Sequence, residues 1–190
     1  YDIIVIGAGP AGEAAAMNAM KKGHSVAVIN DLKHVGGNCT HWATIPSKAL
    51  RHAVNQVMQF NANPMFRDVG EAKKLSFQQI LKQAQRAVSE QVSMRTDFYD
   101  RNHIPVIAGR GTFIDKNTLK LAGKRTKVTA DYFIIATGSR PYHPPDVDFE
   151  HPRIFDSDTI LSLDFSPRKV TIIGAGVIGC EYASIFGGLG

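Results

Sequence analysis

The feature that most constrains this chain is a glycine turn set between a strand-like and a helix-like run. Ile3-Ile4-Val5-Ile6 reads as a short apolar strand, and Gly7-Ala8-Gly9-Pro10-Ala11-Gly12 follows it. An alanine-rich helix then runs from Glu13 to Lys22, where Gly23 stops it, and Ser25 to Ile29 supplies a second strand. Strand, turn, helix, strand is the opening half of a doubly wound α/β fold. A G-x-G-x-x-G motif alone is a weak signal, but this context gives it a mechanism. The glycines permit a tight turn, a close backbone approach to pyrophosphate and close helix packing, while the helix N-terminus faces the anion. Gly7, Gly9, Pro10 and Gly12 are therefore the candidate dinucleotide cradle. The ribose partner is expected at the end of the second strand, usually as a carboxylate. Asn30 stands there, with Asp31 beside it. Asparagine bonds a hydroxyl without charge assistance, and strand alternation turns Asp31 to the other face.

The same pattern begins again near the other end. Arg168 to Ile173 leads into Gly174-Ala175-Gly176-Val177-Ile178-Gly179, and the sequence stops soon after the helix that follows. Gly174, Gly176 and Gly179 form a second candidate nucleotide turn. A lone βα unit buries neither face of a sheet, so the chain is expected to hold one domain over residues 1–165 and the start of another over residues 166–190. Between the two turns, Pro46 starts a helix carrying Leu50, Ala53, Val54 and Val57, which Asn61-Ala62-Asn63-Pro64 ends. Ser76 and Gln79 form a capping box for a helix of more than twenty residues through Phe98. From Pro105 the period shortens toward two over 106–107, 112–114, 118–121 and 127–129, with turns at Asp115-Lys116-Asn117 and Ala122-Gly123-Lys124. Residues 131–136 read as a buried strand ending at Thr137-Gly138, and a proline-rich loop follows.

Composition excludes several classes. The chain has 190 residues, 44% hydrophobic and 21% charged, enough for a sizeable core. The most apolar window, Val170 to Phe186, contains Glu181 and is too short for a membrane span. No secretory leader pattern opens the sequence, and a cytoplasmic protein without membrane partners is expected. A net charge of +5 comes from scattered bases and short clusters such as Lys73-Lys74 and Lys124-Arg125-Thr126-Lys127. These read as solvated faces, so no nucleic-acid partner is expected. Two distant cysteines, Cys39 and Cys180, make no disulfide framework, and no cysteine–histidine spacing suggests a metal. Cys180 reads as core packing on the second turn's helix, and His41 and Trp42 as loop-shaping residues.

The stretch Val35-Gly36-Gly37-Asn38-Cys39-Thr40-His41-Trp42-Ala43-Thr44-Ile45-Pro46-Ser47-Lys48-Ala49-Leu50 resembles the active-site segment of the flavoprotein disulfide reductases, the class I pyridine nucleotide-disulfide oxidoreductases. In that family FAD lies along the segment, and two cysteines separated by four residues form a redox disulfide. Cys39 holds the first cysteine position here and Thr44 the second. A threonine hydroxyl forms neither a disulfide nor a thiolate, so dithiol chemistry is absent. One branch shares this departure, the soluble, FAD-containing pyridine nucleotide transhydrogenases. The resemblance to it extends over Phe98-Tyr99-Asp100-Arg101-Asn102, Gly138-Ser139-Arg140-Pro141-Tyr142-His143 and Gly174 to Phe186. Asn30, Asn38 and Ala43 depart from the branch, which carries Glu, Gly and Gly there.

The resemblance implies an FAD-dependent enzyme passing hydride between NADPH and NAD⁺ through the flavin. On the same resemblance NAD and NADP(H) would be its substrates and nicotinamide nucleotides its partners, and a homo-oligomer is expected through a C-terminal domain. FAD would be held by Gly7, Gly9, Pro10, Gly12, Asn30, Asp31, Gly36, Gly37, Asn38, Cys39, Thr40, Lys48, Gly111, Ala136, Thr137 and Gly138, and NAD(P) by Gly174, Gly176 and Gly179. Lys48 and Glu181 would form an ion pair beside the flavin. The alternatives are a lipoamide dehydrogenase-like disulfide reductase, which Thr44 disfavours, and a non-catalytic FAD-binding fragment. The isolated fragment is expected to be inactive.

Overall fold

A computed structural model describes every residue except Asp68, Val69, Glu71 and Lys124. The turn and the basic cluster read at Lys124 therefore lie partly outside the described residues. The chain forms two compact units, one of residues 1–41 and 90–140, the other of residues 42–89 and 141–190.

In the first unit, strand β1 (Ile3–Ile6), helix α1 (Pro10–Lys21) and strand β2 (Val26–Asn30) form the expected βαβ. Helix α2 (Gly37–His41) follows, five residues with no apolar period to announce it. The C-terminal half of the 25-residue helix α5 (Phe77–Arg101) leads to β3 (Val106–Ala108). The meander comprises β4 (Gly111–Asp115), β5 (Thr118–Leu121) and β6 (Lys127–Thr129), and β7 (Tyr132–Ile135) closes the unit. A parallel sheet runs in the order β3-β2-β1-β7, and an antiparallel sheet in the order β4-β5-β6. The run at 106–107, read with the meander, instead pairs parallel with β2.

Alternation along β1 shows why three layers form. Val5, with Val28, faces Ala16 and Ala19 of α1 and Tyr99 of α5. Ile4, with Ala27 and Ile29, faces Leu119, Leu121 and Val128 of the meander. Side chains two apart share a face, so one strand feeds two cores. The apolar run of β7 predicts a buried strand, yet Tyr132 is 72% and Ile135 68% exposed. It lies at the edge of the sheet, with β1 alone beside it among the described strands.

The second unit is helical. Helix α3 (Thr44–Ala62) and the single turn α4 (Pro64–Arg67) precede the N-terminal half of α5. A 3₁₀ turn over Thr159–Ser162 and helix α6 (Val177–Leu189) complete the unit. Ser76 caps α5 as read: its Oγ accepts the Gln79 N–H at 3.3 Å, and Gln79 Oε1 accepts the Ser76 N–H at 2.8 Å. The core joins Leu50 and Val54 to Phe77, Ile80, Tyr182 and Ile185, and Phe77 stacks on Phe186 with centroids 5.1 Å apart. Gly188 lies so close to α3 that a Cβ there would meet Val54 and the Met58 sulfur. The run before Gly174 forms no strand, because no described strand is available to pair with it, and Ile173 is 94% exposed. Cys180, expected in the core, is exposed: α6 buries Tyr182 and Ile185 but leaves its first turn, including Val177 and Ile178, uncovered.

Candidate functional site

The glycine turn of the first unit divides its three glycines by task. Gly7 has φ +108°, and a Cβ there would overlap the Ala136 carbonyl at the end of β7. Gly12 sits in the first turn of α1, where a Cβ would overlap the Gly7 carbonyl oxygen. Those two are demanded by the fold. Gly9 is different: its backbone is ordinary extended chain (φ −77°, ψ −179°), and a Cβ would find only the Gly37 Cα, 3.7 Å away. Nothing among the described residues requires glycine at position 9. What it leaves is a bare backbone above the start of α1, with Pro10 at the first helical positions and, among the described residues, no side chain capping the free N–H groups. That is the donor set an anion requires.

Two neighbouring segments complete the cradle. Gly36 (φ +109°) donates its N–H to the Ala8 carbonyl at 2.8 Å, and Gly37 (φ +58°) comes so close that a Cβ would lie 2.7 Å from the Gly9 Cα. These positions begin α2, which carries Asn38, Cys39 and Thr40. Asn38 Nδ2 donates to the Ser139 carbonyl at 3.5 Å, bringing the turn after β7 to the same place. Asn38 Oδ1 and Thr40 Oγ1 are buried with no hydrogen-bond partner among the described residues. Orphaned buried acceptors are uncommon in folded proteins and fit a ligand that supplies the missing groups. Thr137 and Gly138 (φ +75°) stay exposed beside them. His41 donates a ring N–H to the Val35 carbonyl at 2.9 Å, which holds this loop.

Three other expected positions gather around the end of β2. Gly111 opens β4, where a Cβ would make ordinary contact with Leu119 and Ile29. Asp31 is exposed beyond β2, whereas Asn30 is buried.

The second unit repeats the turn. Gly174 has φ +114°, Gly176 caps α6 with φ −75° and ψ 178°, and a Cβ on Gly179 would overlap the Gly174 carbonyl oxygen. At Gly176, again, a Cβ would find nothing within 4 Å. Two glycines serve the turn and one is left open, as at Gly7, Gly12 and Gly9. The same unit brings Lys48 and Glu181 together: Lys48 Nζ donates to both carboxylate oxygens, at 2.7 and 2.9 Å. The lysine is 62% exposed and the carboxylate 15%. Thr44 stands one helical turn before Lys48, also exposed.

The family model for pyridine nucleotide-disulphide oxidoreductases matches residues 1–190, the whole chain. The chain belongs to the pyridine nucleotide-disulphide oxidoreductase family. Within it, the chain is 58% identical over its full length to the soluble pyridine nucleotide transhydrogenase of Pseudomonas putida (strain GB-1), and 59% identical to that of Azotobacter vinelandii. It spans 42% of each of these relatives. Among solved structures it resembles the HOCl-induced flavoprotein disulfide reductase RclA from Escherichia coli, with a TM-score of 0.85 and 27% identity. That match covers all of this chain and 40% of the other. Within this member of the family both cysteines, Cys39 and Cys180, are free.

Two features escaped sequence reading. Arg95 of α5 donates to Glu13 of α1 at 2.7 Å, with both side chains mostly buried, and only the capping pattern of α5 hinted at its register. His143 donates from Nε2 to Asp156 Oδ2 at 2.6 Å while its ring stacks on Phe149, 3.9 Å between centroids. The Asp156-Ser157-Asp158-Thr159 run, with its turn-forming residue types, was the available signal. No helix among the described residues is long and apolar enough to cross a membrane. No group of three or more described His, Cys, Asp or Glu side chains could hold a metal ion.

Proposed function

We propose that this chain is the FAD-binding part of a soluble pyridine nucleotide transhydrogenase, together with the start of its nicotinamide-nucleotide-binding domain. The observation that carries the reading is Thr44, where a dithiol enzyme of this family needs its second cysteine. Cys39 is free and has no partner thiol at that position. When bound, FAD supplies the hydride-accepting and hydride-donating chemistry; the protein binds, orients and tunes it.

The roles of the chain's own residues follow from the site. Gly9 lets the pyrophosphate approach the α1 N-terminus, whose free N–H groups neutralise charge. Asn38 and Thr40 offer their unsatisfied oxygens to hydroxyl or ring N–H donors of the cofactor. Gly176, bare in the same manner, receives the pyrophosphate of a nicotinamide nucleotide. By resemblance, Lys48 and Glu181 are the flavin-side pair: a fixed ammonium favours added electron density, and the carboxylate limits how strongly it does so. The cytoplasm, a reducing compartment, suits two free cysteines. A homo-oligomer built through sequence beyond this chain belongs to the same reading.

An anaerobic titration of the full-length protein tests it. About one NADPH per FAD is expected to bleach the flavin completely, since one hydride carries two electrons. NAD⁺ then restores the colour. Uptake of about four electrons, with a long-wavelength thiolate–flavin band, overturns the reading in favour of a disulfide reductase.

A further inference from the structure

Asn30, 4% exposed, closes β2. Its Oδ1 accepts the Ala8 N–H at 3.4 Å, and its Nδ2 donates to the carbonyls of Leu32 and His34, both at 3.0 Å. The amide orientation is dictated by these partners. Flipped, Oδ1 would confront two carbonyl oxygens and Nδ2 would confront an N–H. The Ala8 peptide is held from the other side as well, because its carbonyl accepts the Gly36 N–H at 2.8 Å. One carboxamide thus ties the glycine turn to the loop that leads into α2. Both of its hydrogens are committed to that task.

We infer that Asn30 is a positioning residue of the nucleotide site and not its ribose ligand. Its neutral carboxamide locks the Gly7–Gly12 turn against the loop of residues 31–36, so the open face of Gly9 is set before any nucleotide arrives. A carboxylate, the usual residue at this position, cannot take its place. It has no hydrogen to give, and it would set an anionic oxygen against the Leu32 and His34 carbonyls. The inference rests on the reading that a dinucleotide occupies the glycine turn.

The test compares the full-length protein with Asn30→Asp, an isosteric change that replaces the NH₂ by oxygen. At pH 8 the FAD dissociation constant is expected to rise about tenfold or more, as befits two lost hydrogen bonds and a new repulsion. Burial and the two facing carbonyl oxygens push the new carboxyl up from its ordinary range. On lowering the pH to about 5.5 the affinity should therefore recover at least about threefold, as the protonated carboxyl regains one donor. Asp31, Lys33 and His34 on the loop, and Arg110 beyond Gly109, are common to both proteins. Their titration is subtracted by the wild-type profile; the Gly7–Gly12 turn adds no charged group. If Asn30 were the ribose ligand, Asn30→Asp would bind FAD more tightly at pH 8 and loosen on acidification, which overturns the inference. An unchanged affinity overturns it too.

Should Asn30→Asp fail to fold, hydrogen exchange of the wild-type Asn30 side-chain amide in flavin-free protein decides the matter. Slow exchange of both hydrogens is expected, and protection that appears only with FAD refutes the proposal. A wild-type protein that binds no FAD defeats the flavin reading while leaving the exchange result to stand on its own.

Discussion

Gly9 and Gly12, three residues apart in one motif, should fail in opposite ways when given a methyl group. At Gly12 the new Cβ overlaps the Gly7 carbonyl oxygen and lies 3.0 Å from the Gly7 carbonyl carbon and 3.2 Å from Val5 Cγ1. Two of those atoms are backbone, so α1 must move off β1, loosening the packing of Ala16 and Ala19. Overpacking of this kind costs about 3 kcal/mol, a large part of a typical domain's stability. At Gly9 the Cβ meets nothing closer than 3.7 Å and the backbone suits any residue. Gly9→Ala should therefore shift flavin-free stability by no more than about 0.5 kcal/mol. Gly9→Val should displace the pyrophosphate from two N–H donors, at about 1.5 kcal/mol or more each, raising the FAD dissociation constant by over a hundredfold. Urea denaturation of the flavin-free proteins gives the first pair of numbers and fluorescence quenching of FAD the second. A Gly9→Ala protein as destabilised as Gly12→Ala, or a Gly9→Val protein that keeps wild-type FAD affinity, would refute the division of labour.

Three further outcomes are expected. Arg95→Met strands Glu13, which is 17% exposed, and should destabilise the protein by about 3 kcal/mol; adding Glu13→Gln should restore part of the loss in a denaturation cycle. Burial pushes the Asp156 carboxyl up, but hydrogen bonds from His143, Thr159 and Asp158 outweigh it and hold the group below the ordinary carboxylate range. A depressed folded-state pKa stabilises above the unfolded value and ceases to as pH falls through the folded one. The stability gap between wild type and Asp156→Asn should then be widest near neutral pH and close below about pH 4, followed by thermal melts. Lys48→Met should change stability by less than about 1 kcal/mol, since the lysine is 62% exposed, yet lower the flavin reduction potential in a dye-coupled titration.

The opening βαβ was legible because its signals agree: apolar period, glycine spacing, and a glycine after the helix. The capping box at Ser76 and the helix behind it were equally plain, since a short-range hydrogen-bond pattern leaves its residue types in the sequence. β3 was misplaced because three apolar residues after a proline suit a meander or a parallel sheet alike; the choice is made by Val28, which lies far away in the chain. β7 looked buried because Phe133, Ile134 and Ile135 are all apolar, and composition does not say whether a strand has one neighbour or two. In the glycine turn, Gly7 and Gly12 could be read from their spacing between strand and helix. The commitment of Asn30 could not: spacing names the residue, while its three partners come from a loop and a turn that only the folded chain assembles.

The order of strands carries a consequence for the newborn chain. β1 emerges at residues 3–6 and soon finds β2, but its other edge waits for β7, more than a hundred residues later. At ordinary rates of synthesis that is on the order of ten seconds. Through that interval the row Ile3-Ile4-Val5-Ile6 offers an unpaired, apolar edge that any extended segment can adopt. Production of this protein should therefore be limited by how crowded the nascent chain's surroundings are. Slower initiation at lower temperature, which spaces the chains apart, should improve soluble yield more than any change to the finished core.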